Sequence, residues 1–212
     1  MPVLNLRFFE PNPYKNSSSE ISVIQFGTGV LLRGLIDPLI QEAKEQNLFE
    51  GSIAMVKSTS PDISEFTNQD NLYTLIVAGL EENGTKKLET KIIDCIAETW
   101  SVKIDWDKIK SCFRSKELKL VISNVTEIGL TYEPTSSVDS IPTSYPAKLV
   151  LLLHERYLAY KGKNVDELFI VPTELLVQNG KLLHDIVLRH AHEMLLGEDF
   201  IQWVDDHCTF CD

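Results

Sequence analysis

Ile21-Ser-Val-Ile-Gln-Phe26, then Gly27-Thr-Gly29, then Val30-Leu-Leu-Arg-Gly-Leu-Ile-Asp-Pro38 is the stretch on which the reading of the fold turns. Its first residues alternate and are rich in Cβ-branched side chains, the habit of a β-strand. The glycines make a tight turn. Beyond them Leu31, Leu35, Leu39 and Ala43 recur at helical spacing and predict an amphipathic helix. Pro38 removes a backbone donor inside that run, so a kink or weak point is expected there. Gly51 closes the unit, and Ser52-Ile-Ala-Met-Val-Lys57 reads as a second buried strand. Strand, helix, strand is the unit from which parallel sheets are built.

Outward from this unit the pattern first departs and then resumes. Leu72 to Gly79 and Lys86 to Ile93 flank Glu81-Glu-Asn-Gly84, and Asn-Gly between alternating runs predicts an antiparallel hairpin, inserted at one edge of the sheet. Asp105 to Phe113 reads as a helix and Leu118 to Ser123 as a third parallel strand. Thr131 to Pro142 is a polar loop, after which Ser144 caps a helix carrying Pro146 in its first turn and running to Tyr157. Leu168-Phe-Ile-Val171 is a fourth strand, Asn179-Gly180 a turn, Lys181 to Leu195 an amphipathic helix, and Phe200 to Val204 the start of a last one. Residues 1–20 are polar and turn-rich and read as an N-terminal arm; residues 21–212 read as one domain. The predicted class is α/β, a doubly wound, mostly parallel Rossmann-type sheet with an inserted hairpin.

Composition narrows the partners. The chain has 212 residues, 31 acidic side chains against 20 Lys and Arg, and a formal charge of −11. With no basic block beyond Lys86-Lys87, nucleic acid and anionic membrane are excluded as main partners. No apolar run approaches the roughly 18 residues a membrane span needs, and the reading is of a soluble, cytoplasmic protein. The cysteines are Cys95, Cys112, Cys208 and Cys211; Cys208 and Cys211 have CxxC spacing but lack a second ligand pair and read as reduced thiols on a helix end. His154, His184, His190, His192 and His207 show no ligand spacing, so no metal site is assigned.

The sharpest chemical signal is the glycine turn. A strand, Gly-x-Gly and a helix suit a phosphate, because the first glycine permits the turn, the second admits close backbone approach, and the helix N-terminus offers unpaired N–H groups. The third position of the usual fingerprint is Leu32. A ribose-binding acid is expected near the end of the second strand, but Val56-Lys-Ser-Thr59 has none, so Lys57 or Ser58 could instead meet a 2′-phosphate. The end of the third strand, Ser123-Asn-Val-Thr-Glu127, is a second candidate, either facing a ligand or capping its loop. Glu174, after the fourth strand, is a third, placed where a carboxylate could meet substrate or simply be solvated.

Six blocks in order, IQFGTGVLLRGLIDPLI, QDNLYTLIVAGLEENG, SNVTEIG, SYPAKLVLLLHERY, VPTELLVQNGKLLHDIVL and FIQWVDD, make the chain resemble the long-chain mannitol dehydrogenase family. Within it the resemblance runs most closely to the tagaturonate reductase (altronate oxidoreductase) branch, over about Leu4 to Asp212. The resemblance implies a nicotinamide-dependent oxidoreductase interconverting a sugar acid or polyol and its ketose, here D-altronate and D-tagaturonate in galacturonate breakdown. It implies NAD as cofactor, with NADP not excluded, and a small sugar acid as partner. The family's FGxGxFxRA loop maps onto Phe26, Gly27, Gly29 and Arg33, with Leu31 in place of the aromatic and Gly34 in place of the alanine. The implied cofactor set is therefore Gln25, Phe26, Gly27, Thr28, Gly29, Val30, Leu31 and Arg33, with Ser123 and Asn124 from the third strand, and Glu174 on the substrate side. Thr173, Glu174 and Leu175 stand where the mannitol enzymes carry Cys-Asp-Asn, which points to the uronate-type branch and away from mannitol.

The family also places a Lys-Asn-His cluster, with the lysine as general base, in a helical C-terminal domain beyond Asp212. No catalytic residue is therefore expected within these residues, which read as a cofactor-binding half that turns over nothing alone. Apolar surface around Val171–Val177 and Phe200–Phe210 is expected to be exposed and to favour self-association. Two rival readings stand: mannitol or fructuronate reduction on the same scaffold, and a nucleotide-binding module without chemistry.

Overall fold

The structure is a computed structural model that describes residues 20–125, 128–134, 140–161 and 163–212. Residues 1–19 of the expected arm, and Thr126 and Glu127 of the third-strand candidate, lie outside the described residues. Strands β1 (Ile21–Phe26), β2 (Ser52–Lys57), β5 (Ile96–Ser101), β6 (Leu120–Ser123), β7 (Leu168–Pro172) and β8 (Cys208–Phe210) form one sheet in the order β5-β2-β1-β6-β7-β8. Every neighbouring pair in it is parallel. Counting only these strands, the order is 3-2-1-4-5-6, the doubly wound arrangement of dinucleotide-binding folds.

Strand alternation explains why helices cover both faces. Ile24, Phe26, Ala54, Val56, Val121 and Ile170 belong to one core, shared with α3 (Trp106–Phe113), α4 (Tyr145–Tyr160), α5 (Asn179–Glu193) and α6 (Glu198–His207). Val23, Ile53, Met55, Ile96 and Ile122 turn to the other side, into a smaller core with Leu32 and Phe66, the latter on the short α2 (Ser64–Thr67). Arg156, fully buried on α4, donates to the carbonyls of Phe113, Ser115 and Leu118 and fastens α4 to the end of α3.

Several elements differ from the sequence reading. The helix after the glycine turn starts regularly at Val30 and Leu31, widens into a π-turn over Leu32–Ile36, and becomes regular again in α1 (Asp37–Glu45). Its Leu31, Leu35 and Leu39 stripe faces outward, while Leu32, Asp37 and Gln41 are buried. The extra residue in the turn rotates the face that the simple period assigns inward. The hairpin, β3 (Tyr73–Leu80) and β4 (Lys86–Ile93), is a separate two-stranded sheet rather than an edge of the main one. It is held against α1 by Gln41 Nε2 donating to the Ile92 carbonyl at 2.9 Å and by the Lys91–Glu45 pair. In its turn only Gly84 takes a positive φ; Asn83 instead accepts from the Thr85 N–H through its side chain.

Strands β5 and β8 were not foreseen, and the CxxC segment forms β8 rather than a helix end. Asn179-Gly180 opens α5 instead of making a turn, the reversal being taken by Gln178 in the left-handed region. Phe200, Val204 and Cys208 are buried against α4, so that stretch offers no open apolar surface; Leu175 and Val177, 88% and 92% exposed, do.

Candidate functional site

In a doubly wound sheet the crevice lies outside the carboxyl ends of the strands where the order reverses, here between β1 and β6. A cleft of about 470 Å³ opens there. Gly27 and Thr28 come to it from the end of β1, Lys57, Ser58 and Thr59 from β2, and Asn124 and Val125 from β6. Thr143, Ser144, Tyr145 and Lys148 close it from the start of α4, with Gly129 and Glu133 from the loop between.

Gly27 is required by geometry. Its φ is +128°, and a Cβ there would fall 2.8 Å from the Asn124 carbonyl oxygen. The close approach follows from pairing on both sides: Gly27 N–H donates to Val56 O at 3.1 Å, and Asn124 N–H to Phe26 O at 2.9 Å. Gly29 faces open space, with nothing within 4 Å of a Cβ placed there. The turn is braced from below. Gln25, fully buried, donates through Nε2 to the Gly27 carbonyl at 3.3 Å, and Arg33 N–H donates to Gly29 O at 3.2 Å. Amides left free at the start of the helix, above an uncluttered glycine, form a cradle that suits a phosphate.

The β6–β7 side is held as firmly. Asn124 Nδ2 donates to the carbonyl and hydroxyl of Thr173 at 3.0 and 3.1 Å, and Thr173 N–H returns a bond to Ser123 O at 2.8 Å. Glu174 is turned inward rather than towards the cleft. It is buried, accepting from Val125 N–H at 2.8 Å and from the Ser123 hydroxyl at 3.4 Å. Burial holds its carboxyl above the ordinary range, although these donors pull it down.

The two ends of the cleft are cationic. Lys57 pairs with Glu65 at 2.5 Å, its Nζ standing 6.0 Å from the centre of the Phe66 ring. Lys148, 6% exposed, donates to the Thr143 and Ser144 carbonyls, and burial pushes its ammonium below the usual lysine range while Glu133 opposes that.

Of the cofactor residues read from the sequence, Gly27, Thr28 and Asn124 line the cleft. Gln25, Phe26 and Ser123 are buried beneath it, Val30 and Leu31 point to solvent, and Arg33 lies beside the rings of Phe66 and Tyr73. Lys148, Tyr145 and Glu133 were missed. A lysine inside the apolar run Ala147-Lys-Leu-Val-Leu-Leu-Leu153 was the available signal, since a charged side chain on a buried helix face is rarely idle.

Comparison with known proteins agrees with the geometry. Residues 21–212 match the mannitol dehydrogenase Rossmann domain. Altronate oxidoreductases of Escherichia coli O7:K1 and Shigella sonnei are each 35% identical over the whole chain, which spans 43% of their length. Among solved structures, Pseudomonas fluorescens mannitol 2-dehydrogenase, in ternary complex with NAD and D-mannitol, superposes with a TM-score of 0.80 at 18% identity. A substrate-free D-sorbitol dehydrogenase superposes at 0.76 with 17% identity; each superposition covers 99% of this chain and 46% of the other. At such identities the likeness speaks for the fold alone. The whole-length sequence match goes further, and the chain belongs to the mannitol dehydrogenase family, whose Rossmann domain it carries.

Proposed function

We propose that this chain is the cofactor-binding part of an NAD-dependent sugar-acid oxidoreductase, a tagaturonate reductase whose net reaction is D-altronate + NAD = D-tagaturonate + NADH. The observation that carries the reading is the glycine cradle of Gly27 and Gly29 at the sheet's switch point, open above and braced below. Gly27, Thr28 and the first helical amides would hold the pyrophosphate. The ends of β2 and β6 would flank the two ribose halves, with Asn124 and Val125 on the nicotinamide side. When bound, the nicotinamide ring supplies the hydride acceptor or donor. The residues of this chain bind, orient and exclude water around it. Support for a sugar acid rather than a polyol comes from the altronate oxidoreductases at 35% identity.

The base that removes the substrate's hydroxyl proton is proposed to come from a part of the protein outside these 212 residues, since the chain spans less than half of those relatives. The test is direct. Fluorescence titration should show saturable binding of NADH, and mixing the chain with NADH and tagaturonate should give no turnover. Absence of binding would remove the dinucleotide reading. Turnover at an ordinary enzyme rate would refute the division of labour, and a longer form of the protein that reduced fructuronate or fructose in preference to tagaturonate would move the assignment within the family.

A further inference from the structure

Beneath the glycine cradle sits a buried polar cluster that the cofactor reading does not use. Tyr73, from β3, has one hydroxyl hydrogen but two oxygens in reach: the Arg33 carbonyl at 2.6 Å and Asp37 Oδ2 at 3.0 Å. A carbonyl cannot donate. If the shorter bond takes the tyrosine hydrogen, the longer one is a hydrogen bond only when Asp37 supplies a hydrogen of its own. The other carboxyl oxygen, Asp37 Oδ1, makes no hydrogen bond among the described residues, nor does Gln25 Oε1, and the only donors acting on the carboxyl besides Tyr73 are the Gln25 amide and the Arg33 guanidinium. An ionised Asp37, fully enclosed, would carry its charge out of water with those weaker partners alone to offset the cost.

The cluster is tied to the cradle through a covalent peculiarity. Within the wide turn Asp37 N–H bonds the Leu32 carbonyl, so the Arg33 carbonyl would next await the N–H of residue 38. That residue is proline and has none. Tyr73 fills the place, and the same Arg33 residue donates its N–H to Gly29 O while Gln25 donates to Gly27 O. We infer that Asp37 is a positioning residue whose protonated form keeps Tyr73 on the Arg33 carbonyl, so that the glycine cradle holds its shape for the dinucleotide.

Loss of that proton to solvent draws the Tyr73 hydrogen to the carboxylate and leaves the Arg33 carbonyl unpartnered, and the turn loosens. The groups facing Asp37 are Gln25 from β1, Arg33 from the turn, Tyr73 from β3, and Cys95, whose Sγ donates to the Asp37 carbonyl at 3.4 Å. Lys44 and Asp94 act on Cys95 from further out. Tyr73 and Cys95 are pushed up by burial and stay neutral through the neutral range. Burial likewise raises Asp37 to about 7, against smaller opposing pulls from Tyr73, Gln25 and Arg33.

The inference rests on the dinucleotide reading, and its test separates the two. For the 212-residue chain, NADH affinity should weaken on the order of tenfold between about pH 6 and pH 8, on either side of the Asp37 titration. In Asp37→Asn, whose amide can donate to Tyr73 permanently, it should be flat with pH. In the unliganded chain, infrared spectra at pH 6 should show the stretch of an un-ionised carboxyl that Asp37→Asn lacks. Exchange-corrected amide protection of residues 27–36 should fall with pH in the wild type but not in that variant. Lack of the carboxyl band, or pH dependence of protection that persists in Asp37→Asn, overturns the inference even if no nucleotide binds. A chain that binds no NADH, yet shows both the band and the protection change, would sink the dinucleotide reading and leave the brace standing.

Discussion

At the scale of single residues, the cleft is governed by a few positions with no freedom. Gly27→Ala forces a side chain into the left-handed region and against the Asn124 carbonyl. It should cost about 1–3 kcal/mol of stability, read by denaturant unfolding, and weaken nucleotide binding besides. Glu174 separates charge from hydrogen bonding. Glu174→Gln keeps an acceptor for Val125 N–H and should be mild. Glu174→Ala leaves that half-buried N–H without its partner and should cost about 1 kcal/mol, with looser protection of residues 123–125 on amide exchange. Asp37 gives a pH signature with a definite sign. Its folded pKa, about 7, lies above the ordinary 3.8, so the native state holds the extra proton between those values. The stability it contributes is full below the lower value and is lost as pH rises to the upper one. The melting temperature of Asp37→Asn relative to wild type should therefore climb from pH 4 to pH 7 and level off above. Gly27 was legible from the strand, Gly-x-Gly, helix pattern around it. Asp37 was not, because a carboxylate in a helix reads as solvated until a neighbouring hairpin is known to cover it.

At the scale of elements, local patterning foretold interior strands of the sheet and failed where geometry bends. β1, β2 and β7 are short runs of Cβ-branched and aliphatic residues, and their limits differ from the reading by a residue at most. β5, with Glu98, Thr99 and Ser101 among its residues, and the three-residue β8 are edge strands whose composition hides them. The helix after the glycines shows the reverse error. Leu31, Leu35 and Leu39 have the right period, yet the π-turn before Pro38 winds them to the outside. Exposed apolar side chains there contribute little to the core, so Leu35→Glu with Leu39→Glu should change stability by no more than about 0.5 kcal/mol per site. Sedimentation at high concentration tells the rest. If this face drives self-association, the double variant should shift the chain towards monomer; an unchanged distribution would exonerate it.

At the scale of the whole molecule, the strand order gathers the ends of β1, β2 and β6 on one rim and so places cofactor choice at a site no single segment defines. That is why the cradle could be read in the sequence whereas the cleft's cationic ends, set by Lys57 and by Lys148 more than 90 residues later, could not be brought together. The end of β2 is where a ribose hydroxyl or a 2′-phosphate would lie. No carboxylate stands on the strand end itself, which leaves Lys57 as the charged group there, but its ammonium is held by Glu65 at 2.5 Å. With that partner in place the lysine's charge is offset, and a doubly charged 2′-phosphate would meet Glu65 as well as Lys57, so NAD(H) should be preferred. Removing the partner reverses the balance. Glu65→Ala frees the ammonium and should improve NADPH affinity relative to NADH on the order of tenfold, the scale of one charge-assisted hydrogen bond to phosphate. Lys57→Met should abolish that gain when combined with it. If Glu65→Ala leaves the ratio of the two dissociation constants unchanged, Lys57 does not reach the 2′-position, and the adenosine ribose must sit elsewhere along the rim.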